Sequence, residues 1–407
     1  MKTVITYIFL LIATLASAHD TMDGFIPMPT TDSVPMTVAD TATIKKEGGL
    51  KGWIKRLLNS KAKPSNKKFD TGWVVGPSYN AVNSFTLGGV FNGFYSWDRA
   101  DSTLQKSNVS AYGSVSVTGM ISVGVEGNNF LPKDNWRMNY NLGFMAMPQH
   151  FWGVGYSAGT DLNNYGSYTR IYVQFRPEIL RRVCRGLYIG PIIDVNYTSV
   201  LNLKDRPDGT SPIEYHDDEY DIVLPREVFT AGLGLTASLD TRDIVINATR
   251  GVLLRVQQLN YPSIFSNTSG YFGTADITFS HYVKMWKGCV MAYDLHGLFS
   301  FGDVPWTCYP QLGSSYRMRG YYPGQYRDKN LAELQLELRQ HIWNRFGIAV
   351  WGGCGNVWGL EPFKWSHTLP NFGAGLRFEL KQHSNVRIDF GFTNKDWNVC
   401  FNINEAF

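Results

Sequence analysis

The sequence has no run, beyond its N-terminal stretch, that approaches the ~20 consecutive apolar residues of a membrane-spanning helix, which excludes a helical route across a bilayer. It has little charge of one sign. Thirty-eight Lys and Arg against 34 Asp and Glu leave a formal charge of +4, too small to point to nucleic acid. Cysteine is sparse: Cys184, Cys289, Cys308, Cys354 and Cys400 are widely scattered, and no pair has metal-ligand spacing. An odd count leaves one unpaired in any disulfide scheme, and the five read as small residues on strand walls. There is no Gly-x-Ser-x-Gly elbow, and of the eight histidines none is read beside a serine or aspartate in an enzyme-like setting. By alternation His281 faces outward on a strand, His341 and His383 fall at turns, and His216 lies in an acidic loop. The run Asp217-Asp-Glu-Tyr-Asp221 reads as solvated rather than as a cation site. No catalytic, metal or cofactor site is expected.

What the sequence holds in plenty is aromatic residues and glycine. Aromatics make up 14% of the chain and there are 40 Gly, a composition suited to aromatic girdles and to alternating strands in lipid. The first residues read Met1-Lys2, then the apolar Val4–Ile12, then the small-residue stretch Ala13–Ala18: a secretory signal peptide over 1–18. Residues 19–68 read as a periplasmic linker. Within its lysine-rich second half, Leu50, Trp53, Ile54, Leu57 and Leu58 share one helical face, which predicts a short basic amphipathic helix able to lie on an anionic membrane or cover a barrel mouth.

From Phe69 to Phe407 the period is two. In Tyr271–Lys284 the odd positions are largely apolar and the even ones largely polar, and Phe229–Leu239, Phe372–Leu380 and Val386–Phe392 behave likewise. The sequence predicts an all-β transmembrane antiparallel β-barrel of about 16 strands, near 72–81, 84–97, 107–118, 120–131, 135–147, 167–180, 186–203, 226–240, 250–261, 270–284, 288–302, 330–341, 346–358, 370–381, 384–393 and 397–406. An even count places both barrel termini in the periplasm. The links 181–185, 285–287 and 381–383 are then short periplasmic turns, and 148–166, 204–225 and 303–329 are outer loops. The closing stretch has Val399, Phe401, Ile403 and Phe407 on one parity. A last strand ending in Phe407 looks like the C-terminal signal of bacterial outer-membrane proteins.

One loop stands apart. Ser314–Asp328 has no period, yet it carries Arg317, Arg319 and Arg327 with Tyr316, Tyr321, Tyr322 and Tyr326. It precedes Leu331–Arg339, where Leu334, Leu336 and Leu338 share one face and Glu333, Gln335, Glu337 and Arg339 the other. A cationic, aromatic loop beside a strand with one ionic face suggests a loop that reaches inward for charges.

With these residues in view, the chain resembles the BamA/TamA family of bacterial surface-antigen barrels, which includes outer-membrane assembly proteins and two-partner secretion transporters. The resemblance rests on Leu239-Asp-Thr-Arg-Asp243 with Arg250-Gly251, on Met318-Arg-Gly-Tyr321 (the motif of the sixth outer loop), and on Glu337-Leu-Arg339, Gly355-Asn-Val-Trp358 and Gly373-Ala-Gly-Leu-Arg377. Phe151-Trp-Gly-Val-Gly155 is also similar. Asp240, Arg242, Asp243, Arg250 and Gly251 are then structural motif residues. The resemblance implies an inward-folded sixth loop in which Arg319, Gly320 and Tyr321 form a clamp with acids of the inner wall, Glu337 being one. The family's second acid falls at Gly353 here, and Glu333, Glu379 and Asp389 are the candidate replacements.

The resemblance also implies a function: insertion or transport of protein or lipid in the outer membrane, among its lipids, with a separate periplasmic or outer-membrane protein partner. About fifty residues separate Ala18 from Phe69, too few for a substrate-binding (POTRA) domain of roughly 70–80, so a barrel-only member is expected. A passive structural or plugged barrel is the alternative. The closing strand's Asn398, Asn402 and Asn404 suit a weakly packed seam between first and last strands.

Overall fold

Alternation recurs segment after segment, and the chain meets it with one continuous antiparallel sheet. The computed structural model describes residues 69–80, 84–98, 104, 107–211, 213–216, 221–244, 247–381, 384–403 and 405–407. The expected signal peptide, linker and amphipathic helix lie outside the described residues, as do Asp217–Tyr220 and Asn404.

The strands are β1 (Phe69–Asn80), β2 (Ser84–Tyr95), β3 (Ser107–Ser116), β4 (Ile121–Phe130), β5 (Trp136–Phe151), β6 (Gly166–Cys184) and β7 (Leu187–Lys204). Then come β8 (Glu214–His216), β9 (Asp221–Val223), β10 (Glu227–Asp240), β11 (Gly251–Tyr261), β12 (Phe272–Trp286) and β13 (Cys289–Gly302). They continue with β14 (Gln311–Leu312), β15 (Tyr326–Arg327), β16 (Asn330–Trp343), β17 (Phe346–Trp358), β18 (Leu369–Lys381), β19 (Ser384–Phe392) and β20 (Trp397–Ile403). Sixteen of them make a single sheet in chain order, each antiparallel to the next. The expected all-β transmembrane barrel is the fold observed. The pairs β8–β9 and β14–β15 are separate ribbons inside loops. Strands of two or three residues carry no readable period, which is why the sequence did not announce them.

Side chains sort by parity. On β16, Leu334 and Leu336 are 41% and 42% exposed on the outer wall, while Glu333 and Glu337 on the inner face are 2% and 0% exposed. Outer aliphatic and aromatic side chains suit lipid, and an ionic interior suits a lumen. The first and last strands, β1 and β20, lie next to each other and so close the wall. No backbone ladder joins them among the described residues.

From β5 onward most long links, 152–165, 205–226, 262–271, 303–329 and 359–368, fall at one end, the loop end, with the shorter 393–396. The two-residue links 185–186, 287–288 and 344–345 fall at the opposite turn end, where 241–250 is a long exception. Earlier in the chain the pattern weakens, since the loop-end links 81–83 and 117–120 are short and the turn-end link 96–106 is longer.

The closing strand departs from the sequence expectation. It ends at Ile403 rather than near residue 406, and Phe407 is not part of it. Phe407 instead packs against the buried cluster of Ala248, Tyr282 and Ala292. Its main-chain oxygen accepts a hydrogen bond from Arg339 Nη2 at 2.8 Å, and its ring lies 5.2 Å from that guanidinium.

Candidate functional site

The long link between β13 and β16 is buried. Leu312, Met318, Arg319 and Asp328 have no exposed surface. The β14–β15 ribbon pairs Gln311 with Arg327 and Leu312 with Tyr326, drawing the two ends of the loop together. Leu312, Met318, Tyr321 and Tyr326 pack with Leu298, Leu331, Val357 and Leu369 of the wall strands, so the loop has an apolar footing. At its base Asp328 accepts the backbone N–H groups of Lys329, Leu360 and Glu361. Burial pushes its carboxyl up from the ordinary value despite those donors.

Gly320 marks the place where loop backbone meets wall backbone. Its φ of +120° is one that other residues rarely adopt, and a side chain there would meet Thr393 and Gly391 at 2.9 and 3.1 Å. On the wall side, a Cβ at Gly391 would lie 2.5 Å from the Arg319 carbonyl oxygen. Two glycines therefore allow the contact that aims the Arg319 side chain along the wall.

Arg319 donates through Nη1 to Asp389 Oδ2 at 2.6 Å and through Nη2 to Glu337 Oε2. Its guanidinium also stacks over the Trp351 ring, 3.6 Å from the centroid. Asn371 Nδ2 donates to the Arg319 carbonyl at 3.1 Å. Of the three candidate replacement acids, Asp389 is the one bonded to Arg319. Glu333 instead faces His296, whose Nδ1 lies 3.1 Å from Glu333 Oε2 and whose Nε2 lies 3.3 Å from Asp276 Oδ1. No bond joins Glu379 to Arg319 among the described residues. Gly353 shows why no acid stands there: a Cβ would approach Leu334 O, Gln335 Cγ and Asn371 Oδ1 at 2.5, 2.7 and 2.8 Å. That space belongs to Gln335 and Asn371.

Around this contact lies a ionic network. Arg377 Nη1 donates to Asp389 Oδ1 at 2.6 Å and Nε to Glu405 Oε2 at 2.8 Å. Arg339 Nε donates to Glu337 Oε1 at 2.7 Å, and Arg387 donates to Asp389 and, at 2.7 Å, to the Ser315 carbonyl. Each buried charge thus has an opposite charge within bonding distance, the condition under which burying charges is tolerable. A second pair ties Arg317 to Asp294, which also accepts from Ser280 Oγ at 2.7 Å.

The segment after β5 covers the loop from above. Gly155 N–H donates to the Arg327 carbonyl at 2.8 Å, and Gln325 Nε2 to the Gly159 carbonyl at 2.8 Å. Tyr156 stacks between Tyr326 and His367 at 5.7 and 4.0 Å. Arg327 is held differently from Arg319: its guanidinium lies 4.6 Å from the Phe151 ring centroid and 5.8 Å from that of Trp306.

The other motif residues lie at the turn end, away from Arg319. Arg242 Nε and Nη2 grip Asp240 at 3.0 and 2.8 Å. Asp243 accepts backbone N–H groups of Ile244, Thr249 and Arg250 at 2.9–3.2 Å, folding the 241–250 link. Burial alone would raise its carboxyl, but the Thr249 hydroxyl and these N–H groups outweigh that and hold it below the usual range. Gly251 follows with φ +106°.

Sequence reasoning missed Glu405, His296, Asp276 and Asp294. Strand parity places Asp276 and Asp294 on the lumen face, a signal that could have found them. The sequence places Glu405 within the closing strand 397–406. In fact it follows β20, where parity no longer applies.

No protein-family model matches the chain, and no curated protein does. Solved structures resemble it in fold. BamA from Haemophilus ducreyi lacking POTRA domains 1–3 superposes with a TM-score of 0.55 at 11% identity, covering 87% of this chain and 77% of that one. CdiB from Acinetobacter baumannii gives 0.52 at 13% identity over 83% of this chain and 60% of its own. CdiB from Escherichia coli gives 0.52 at 12% over 83% and 63%. The chain thus spans less than two thirds of either CdiB.

Proposed function

We propose that this chain is an outer-membrane barrel that inserts or moves polypeptide or lipid with a separate protein partner, and that Arg319 with Glu337 and Asp389 holds its sixth loop in the lumen. The fold resembles outer-membrane assembly and secretion barrels, which supports a general transport role. The observation that carries the reading is the loop itself: an arginine with no exposed surface, shared by two wall acids, fills the space a simple pore leaves open. The meeting of β1 and β20 adds a second support, because an edge pair with no ladder among the described residues is the natural place for a wall to part. On β20, Asn402 turns inward and Asn398 Nδ2 donates to the Tyr321 carbonyl at 3.4 Å, so the loop and the closing strand are in direct contact.

In this reading the turn end and both barrel termini face the periplasm, Phe407 marks the C-terminal end of the barrel, and residues 19–68 dock the partner. The test compares the full chain with a form lacking 19–68, both purified in detergent and offered periplasmic extract. Retention of a partner by the full chain and its loss on truncation is the expected result. If neither form retains a partner and both conduct steadily in planar bilayers, the chain is a passive barrel.

A further inference from the structure

The two ends of the barrel carry charge differently. At the loop end, exposed side chains have both signs, Lys204, Arg226 and Lys364 beside Asp161, Asp205 and Asp208. At the turn end, the hairpin joining β6 to β7 and the neighbouring 131–135 link carry exposed Lys133, Arg181, Arg182 and Arg185. Asp134 is the one acid among these residues, and it is already committed. It accepts from Arg137 Nε and Nη2, both at 2.9 Å, and from the Tyr188 hydroxyl. In the next turn Asp240 is held by Arg242, and Asp243 by backbone N–H groups. Among the described residues no carboxylate pairs with Lys133, Arg181, Arg182 or Arg185, so the patch keeps its positive charge.

Arg181 sets the height of this patch. It pairs in register with Trp136 across β5 and β6, and Ile179 and Val183 are exposed on the same outward face of β6. Its guanidinium lies 5.6 Å from the Trp136 ring centroid. A cation on a lipid-facing wall is costly at the bilayer centre and cheap at its edge, and tryptophan gathers at that same edge. Trp136 and Arg181 therefore mark the boundary between acyl chains and headgroups. Trp136 is the first residue of β5, and β6 runs on past it to Cys184, carrying Arg182 and Arg185 beyond the boundary. We propose that this patch binds the phosphate of an anionic glycerophospholipid, whose acyl chains lie against Ile179 and Val183. Three arginines within five positions suit phosphate, which each can meet with two parallel N–H donors. An acidic protein segment would match the charge but not the apolar outer wall that continues from it along the same strand. The site requires only a membrane-embedded barrel, so it is independent of the transport reading.

The test reads bound lipid by native mass spectrometry of the full chain in detergent, offered phosphatidylglycerol and phosphatidylcholine with the same acyl chains. A preference for phosphatidylglycerol of about tenfold or more is expected, since each cation near an anionic headgroup is worth about fivefold. Arg181→Gln, Arg182→Gln and Arg185→Gln together should abolish it. Lys204→Gln, Arg226→Gln and Lys364→Gln remove three exposed cations from the loop end and should leave it unchanged. Retained heat-modifiable gel mobility shows that each variant is folded. Absence of a headgroup preference, its survival in the triple arginine variant, or an equal loss in the loop-end variant overturns the site. If polyglutamate binds instead through the same three arginines, the patch docks protein and the lipid assignment falls.

Discussion

Arg319 and Arg327 lie eight residues apart in the same loop, and both are essentially without exposed surface. One is held by two carboxylates and a tryptophan face. The other lies beside the stacked rings of Phe151 and Trp306, nearer Phe151, with its Nε donating to the Gly324 carbonyl at 3.2 Å. The difference follows from depth. Arg319 reaches strands β16 and β19, whose inner faces are ionic, whereas Arg327 stays near the loop end among the aromatic residues that cap the lumen. Fixed acids give direction and register, while rings give adhesion that tolerates small shifts. The first suits a latch that is either engaged or free, and the second suits a collar.

The contrast can be broken most severely at Arg319. Arg319→Ala leaves Glu337 and Asp389 without their loop partner and should destabilise the docked loop by about 3–5 kcal/mol, the scale for breaking a buried ion pair. Protease cleavage within 303–329 of an otherwise intact barrel, together with new steady conductance, would show it. A loop that stays protected would refute the latch. Gly391→Ala comes next. It forces a methyl against the Arg319 carbonyl, 2.5 Å from the Cβ position, and should loosen the same loop by about 1–3 kcal/mol. A smaller effect is expected for Arg327→Met, about 1–2 kcal/mol from the lost cation–π contacts with the apolar packing kept. Urea unfolding followed by tryptophan fluorescence would rank it, and a loss as large as that of Arg319→Ala would erase the distinction between latch and collar. The sharpest test is Gly353→Asp, which places an acid at the position where the sequence resemblance implies one. Because Gln335 and Asn371 fill that space, it should fail to rescue Asp389→Asn in the protease assay. Rescue would mean that the wall can accept either arrangement.

Much of this was legible in the residues. Alternation named the wall strands to within a few positions, because facing lipid on one side and a lumen on the other imposes a period of two that any eight-residue window displays. The loop's arginines and tyrosines stood out because nothing periodic explained them. The limits are equally physical. The acids available to Arg319 included Glu333, Glu379 and Asp389, all on strands with inward residues, and sequence spacing does not say how deep the loop descends. Glu405, and the packing of Phe407 against Ala248, Tyr282 and Ala292, escaped because the chain leaves the sheet after Ile403, where parity has no meaning.

The sequence by itself therefore determined the strands, their faces, their order as neighbours and the identity of the loop that breaks the pattern, since each of these is set by contacts between residues close along the chain. Only the tertiary structure decided that Asp389 rather than Glu333 meets Arg319, and that Gly353 has no room for an acid. Those outcomes depend on how strands far apart in sequence are brought to the same depth in one lumen, where fractions of an ångström decide which charge is paired.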